Sequence, residues 1–364
     1  GRARWMVAYS IDMRFTTVIE TLMKHCEEHK ASMGKDPVLW LDTFSLNHHS
    51  DGRSEMAPNK RLNAFEQALS AVPNIVLLLS PLDDGSLRKG SSMTFQILAA
   101  AAKGAHLSLA LPRRVRGEFL EELQEDHTQW AKVFESLRDG KIQYESEEEK
   151  RATTEAIAAL GYTYVALDFR LKKVVREAVC ELVEKSAEGV GDARVQGRLW
   201  LALGRLLNDA GEHDEAARVL SVCCGRLRGL SGKTGEEERL GAMLDLTLAY
   251  RQAGMKEAEL QTNLELLPAL EAKHGPSDEK VLERKLHVGY ELEEKGRLKD
   301  ALDMQLSVLQ VLKQQHLEDE RTQEVVSAVG SLYCKLGKFE LAKALYGEMN
   351  QRSSIRKRIR KMLS

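Results

Sequence analysis

An α/β domain followed by an all-α helical solenoid is the fold class this sequence predicts, and two observations predict it. Through residues 1–187, short runs that are apolar throughout alternate with helical patterns, as in a parallel sheet covered on both faces. In the second half, four segments open on glycine and close on alanine: GEHDEA (Gly211 to Ala216), GMKEA (Gly254 to Ala258), GRLKDA (Gly296 to Ala301) and GKFELA (Gly337 to Ala342). Their glycines lie 43, 42 and 41 residues apart, a regularity that marks stacked helical hairpins.

The elements follow in order. WMVAYS (5–10), PVLWLDTF (37–44), NIVLLLS (74–80) and HLSLALP (106–112) read as strands, with helices at about 15–30, 61–71 and 92–103 between them. Further helices are expected at about 117–137, 148–160 and 163–187. The GVGD stretch (189–192) reads as a hinge inside a linker at 188–196, ahead of four repeats over 197–350 and a basic tail at 351–364. Upstream of each turn glycine stands a second small residue, Gly204, Thr247, Gly289 or Gly330. Two antiparallel helices approach closely only where bulk is missing. The small residue is therefore expected to face the alanine of the second helix, while the turn glycine supplies a positive φ. The second unit departs from the pattern, with Thr247 for glycine and Ala258 one residue early.

Trp200, Leu203, Gly204 and Leu207 reproduce the W-x2-L-G-x2-Y pattern with Leu in the Tyr place, which Tyr250 and Tyr333 keep. With a period near 42 and the Gly-Pro-Ser-Asp stretch at 275–278, the array resembles kinesin-light-chain-type tetratricopeptide repeats. The first half carries a second resemblance. VLWLDTFSLNHH, the first strand and helix MVAYSIDMRFTTVIETL, Ser80-Pro81, the strand end Ala110 to Pro112 and the acidic FLEELQED (119–126) resemble the TIR-like domains that many algal and protist proteins place ahead of such repeats. That resemblance implies a flavodoxin-like parallel sheet. It also implies a W-C-x-x-E segment whose glutamate cleaves NAD in active members. Here the stretch reads Ser92-Met93-Thr94-Phe95-Gln96. A neutral amide stabilises a developing positive charge far less than a carboxylate and cannot act as a general base. The domain is expected to be degenerate and not to hydrolyse NAD.

Composition narrows the function classes. A formal net charge of −2 with 30% charged residues argues against a protein built around nucleic acid. No apolar run reaches the ~18 residues of a membrane span. The five cysteines, Cys26, Cys180, Cys223, Cys224 and Cys334, include no Cys-x-x-Cys pair and suit a reducing compartment, the cytoplasm or another. The first residue is Gly1 rather than Met, which leaves room for a removed targeting peptide.

Each candidate constellation has a plainer reading beside it. GLSGKTG (229–235) lacks the phosphate-loop glycine, since Leu227 holds that place, and it follows a helix, so it reads as a linker. His25 and His29 have a metal-gripping spacing, but KHCEEHK is highly charged and reads as a solvated helix end. Asp12, Asp42, His48, His49 and Ser80 would share the carboxyl edge of the sheet, either as a vestigial nucleotide crevice or as ordinary loop polarity. Glu145 to Glu149 reads as a solvated helix start. In the tail, Arg356, Lys357, Arg358, Arg360 and Lys361 with Ile355, Ile359 and Met362 form either an anionic-surface docking helix or a solubilising cap for the last repeat. The docking reading predicts liposome binding that vanishes on truncation at Gln351.

The first helices of the repeats would present Arg198, Arg205, Asn208, Arg251, Tyr290, Glu293, Glu294 and Lys335 to a groove, basic at one end and acidic in the middle. Such a groove suits an extended peptide or a helix of mixed charge. The sequence thus predicts a non-enzymatic adaptor or scaffold, free-standing or a fixed subunit of a larger assembly. It needs no cofactor or metal and binds protein partners through the repeats. The rival is a TIR-type NAD-processing enzyme with a substituted acid, and a third reading is a membrane-surface tether acting through the tail.

Overall fold

A computed structural model describes residues 3–9, 13–34, 37–41, 67–72, 74–79, 96, 99–100, 103–128, 147–159, 164–230, 232–315 and 320–348. The chain divides into two compact units, 1–230 and 231–364.

The first unit is organised by a sheet of four parallel strands, β1 (Trp5–Tyr9), β2 (Leu39–Leu41), β3 (Asn74–Leu78) and β4 (His106–Ala110), in the order β2-β1-β3-β4. Val7 pairs with Leu41 on one side and Val76 on the other, and Val76 with Ser108. The first strand therefore lies inside the sheet, the arrangement of flavodoxin-like α/β domains. The strands are apolar throughout because both faces are covered. Trp5, Val7, Val76, Leu78 and Ala110 form one core cluster with Val18 and Leu22 of helix α1 (Phe15–Glu28), while Met6, Ala8, Ile75, Leu77, Leu107 and Leu109 are buried on the opposite face. A one-turn helix, α2 (Lys30–Met33), follows α1.

Helix α3 (Arg113–Glu125) starts earlier than the expected 117, directly after Pro112, which sits at the N-cap position with extended ψ. The helix expected to run to 137 is interrupted at Asp126, whose backbone is extended and whose Oδ1 accepts a 3.0 Å bond from the Thr128 N–H, as an N-cap does. Helices α4 (Glu147–Ala159), α5 (Tyr164–Glu188), α6 (Ala193–Asp209) and α7 (His213–Leu227) follow among the described residues of this unit. Helix α5 packs on β4 and on α6, and α3 packs on α6. The GVGD stretch is a tight turn, and its Asp192 caps α6 by accepting from the Arg194 N–H at 2.8 Å.

The described residues of the second unit form antiparallel helix pairs: α8 (Lys233–Gln252) with α9 (Lys256–His274), α10 (Glu279–Glu294) with α11 (Leu298–Gln314), and α12 (Glu320–Lys335) with a helix at 339–348. Within GLSGKTG, Gly232 has φ 101° and precedes α8, so the segment joins two helices as expected of a linker. The turn glycines Gly254, Gly296 and Gly337 have φ of 72°, 73° and 72°, and Gly211 in the first unit has 79°. Those values are the left-handed conformation the repeat signature requires, costly for any residue with a Cβ.

The close-approach positions behave differently from the expectation that each faces an alanine. A Cβ on Gly204 would lie 2.4 Å from Leu220 Cγ, one on Gly289 2.9 Å from Gln305 Cγ, and one on Gly330 2.3 Å from the Tyr346 hydroxyl oxygen. Each of these partners stands one turn beyond the signature alanine. Long helical side chains lean toward the N-terminus, over the preceding turn, so the larger residue reaches back across the alanine to fill the hollow. In the deviant unit Thr247 takes the glycine's place and buried Asn263 the partner's, joined by Arg284, which donates to Asn263 Oδ1 at 2.6 Å. The Thr247 hydroxyl donates to the carbonyl of Leu244 at 2.7 Å, which satisfies it within its own helix. A larger first residue is thus matched by a shorter second one.

Candidate interaction face of the helical repeats

The first helix of each pair in the second unit carries the predicted groove residues. On α8, Arg251 donates from Nε to Glu259 Oε1 of α9 at 2.7 Å. On α10, Glu293 accepts from Lys335 Nζ of α12 at 2.6 Å, and Glu294 lies 3.5 Å from Lys256 Nζ of α9. A second link between α10 and α12 joins Glu279 to Arg321 at 3.1 Å. Charges predicted to await a ligand therefore already neutralise one another. The more exposed of these pairs, Lys256 with Glu294 above all, contribute about 0–1 kcal/mol each and exchange readily for a partner's charges, whereas Arg251 is held by a buried carboxylate.

Tyr290 is 43% exposed, and desolvation beside Glu324 and Glu293 pushes its hydroxyl pKa upward. Leu248 of α8, one period before it, is equally exposed at 43%. Leu248 and Tyr290 directly follow the small residues Thr247 and Gly289, so they hold equivalent positions on successive first helices. Sequence reasoning missed Leu248, although the register that placed Tyr290 also places it. In the first unit Arg198 is exposed, while Arg205 and Asn208 are half-buried, with Asn208 Oδ1 3.5 Å from His213 Nδ1.

Sequence reasoning also missed a polar network shared by α8, α9 and α10. The Glu259 side chain is only 4% exposed, yet its Oε1 meets both Arg251 and His287 Nε2, the latter at 3.2 Å. His287 Nε2 also lies 3.4 Å from Glu291 Oε1, one turn along α10. Desolvation, then the neighbouring Glu259 charge, pushes the Glu291 carboxyl above its ordinary range, while His287, Arg251 and Lys295 oppose the shift. Burial lowers the pKa of Arg284 beside it.

His25 and His29 are corrected outright: they are buried rather than solvated. Their rings stack at 3.9 Å, Ser108 Oγ of β4 lies 3.2 Å from His25 Nε2, and the His29 ring bonds the His25 carbonyl at 2.8 Å. Glu181 of α5 stands 3.7 Å from His29 and 3.6 Å from His106. Arg116 of α3 clamps the same corner by donating to both Glu28 oxygens and to Ser186. Cys180, Cys223 and Cys224 are buried, and Cys334 is exposed. Gln96 is helical and half-buried. Asp12, Asp42, His48, His49, Ser80 and the basic residues Arg356, Lys357, Arg358, Arg360 and Lys361 lie outside the described residues. Among the described residues, no helix is long and apolar enough to cross a membrane.

No family model and no curated protein matches this chain. Among solved structures, BtubC (BKLC) from P. vanneervenii is similar over 66% of this chain and 89% of its own, at 15% identity and a TM-score of 0.34.

Proposed function

We propose that this chain is a non-enzymatic adaptor, a degenerate TIR-like domain joined to tetratricopeptide-type repeats that bind a protein partner along their first helices. The observation that carries the reading is the exposed Leu248 and Tyr290 pair, with exchangeable charges on Glu293, Glu294 and Lys335 of the first helices. Aromatic and aliphatic anchors ringed by polar groups are the usual energetic centre of a protein interface. The face suits a fixed subunit of a larger assembly as well as a transient adaptor.

Size fractionation of the native protein with mass spectrometry of its peak should reveal a stoichiometric partner. The Leu248→Asp/Tyr290→Ala double variant should lose it, weakening binding by about a hundredfold or more, with helical circular dichroism unchanged. Retention of the partner by that variant would overturn the assignment of the face. The non-enzymatic half of the reading has its own test: incubation with NAD should release no nicotinamide above the blank. Release that Asp42→Asn or Gln96→Ala abolishes would establish the rival enzyme.

A further inference from the structure

We propose that Glu259, His287 and Glu291 form a binding site for a divalent transition metal of the zinc class, held between the α8–α9 and α10–α11 pairs. The inference is independent of the partner-binding reading.

The geometry begins with spacing. His287 and Glu291 are four apart on α10 and so share one helix face, while α9, packed against α10, brings Glu259 across to them. One ligand atom from each residue falls within 4.8 Å of the other two. Zinc bonds to nitrogen and oxygen are about 2.0–2.1 Å, so neighbouring donors around a tetrahedral ion stand about 3.3–3.4 Å apart. His287 Nε2 lies 3.2 Å from Glu259 Oε1 and 3.4 Å from Glu291 Oε1, two edges of that tetrahedron already set.

The surroundings fit a metal centre as well as the distances do. Arg251 donates to Glu259, the outer hydrogen bond that orients a ligating carboxylate. Two carboxylates beside one imidazole leave negative charge at a desolvated place, which a dication neutralises. Glu291 Oε2 is buried and has no hydrogen-bond partner among the described residues, so this oxygen is left without compensation by protein. Of the nearby cations, Arg251 pairs with Glu259, Lys295 pairs with Glu257 and Arg284 donates to the Asn263 amide oxygen, and none of them bonds Glu291 Oε2. One nitrogen and two carboxylate oxygens suit zinc, cobalt or manganese, and are too few oxygens for calcium. His287 is 41% exposed, so the cluster is reachable from solvent, and water can supply a fourth donor.

Cobalt(II) titrated into the full-length protein reads the site directly, because four-coordinate cobalt absorbs strongly in the visible. The wild type should develop those bands at one equivalent, and zinc should displace them. His287→Ala and the near-isosteric Glu291→Gln should each weaken cobalt binding by at least about tenfold, with the circular dichroism of Glu291→Gln unchanged. Zinc should raise the thermal midpoint of the wild type and not that of Glu291→Gln. No visible bands at stoichiometric cobalt, bands that persist in His287→Ala, or a sulfur-to-cobalt charge-transfer band assigning the metal to the cysteines would each overturn the proposal.

Discussion

Gly204→Ala should destabilise the first unit by about 1–3 kcal/mol, the cost of overpacking a filled core. The sign is the informative part. Alanine is favoured over glycine in a helix interior by about 1 kcal/mol, so helix propensity alone predicts a gain. The added Cβ, however, would stand 2.4 Å from Cγ and 2.5 Å from Cδ2 of Leu220, whose side chain is fully buried and has nowhere to move. Gly225 of α7 is the control. It is exposed and an added Cβ meets nothing within 4 Å, so Gly225→Ala should be neutral or stabilise by up to about 1 kcal/mol. Leu220→Ala in the Gly204→Ala background should cost less than the sum of the two single changes, a coupling that a double-mutant cycle measures. Urea melts followed by tryptophan fluorescence isolate the effect, because Trp5, Trp40, Trp130 and Trp200 all belong to the first unit. Equal loss at Gly204 and Gly225 would show that the tight contact with Leu220 is not what limits the site.

The second large effect is a loss of stability on acidification that depends on His25. Burial, then the charges of His29, Lys185, Arg116 and His106, lowers its pKa to about 3, and burial lowers that of His29 as well. A histidine whose folded pKa lies below its unfolded 6.5 binds protons more readily when unfolded. Its neutral form therefore supports the fold fully above about pH 6.5, and that support is withdrawn as pH falls toward 3. Between pH 7 and 4.5 the difference amounts to about 2–3 kcal/mol. Glu181 of α5 faces His29 and His106 across this corner. Carboxylates as a class titrate within the same interval, so the measurement is a comparison: His25→Gln should flatten the wild-type slope by that amount in the tryptophan-detected melts. Parallel slopes in the two proteins would remove His25 as the cause.

The backbone was more legible in the sequence than the side-chain encounters. Unbroken apolar runs marked all four strands, and the turn glycines announced their positive φ, because both signals are local. The burial of His25 and His29 was hidden by Lys24, Glu27, Glu28 and Lys30, which made the whole segment look solvated. The residues that enclose the histidines, Ser108 and Glu181, are remote in sequence. The partner of each close-approach glycine was placed one turn too early, since residue spacing alone does not show that a helical side chain leans back along its axis. The Glu259 network escaped for a third reason: Arg251, Glu259 and His287 come from three helices, and only His287 and Glu291 leave a local trace.

The links between α10 and α12 carry one more consequence. Glu279 with Arg321 and Glu293 with Lys335 both set the anion on the earlier helix and the cation exactly one repeat later, 42 residues on in each case. An array joined this way has a direction. Turning one hairpin end for end, or docking a second array head to head, would bring glutamate toward glutamate and lysine toward arginine. Contacts too weak to hold the stack together can still decide which way it grows.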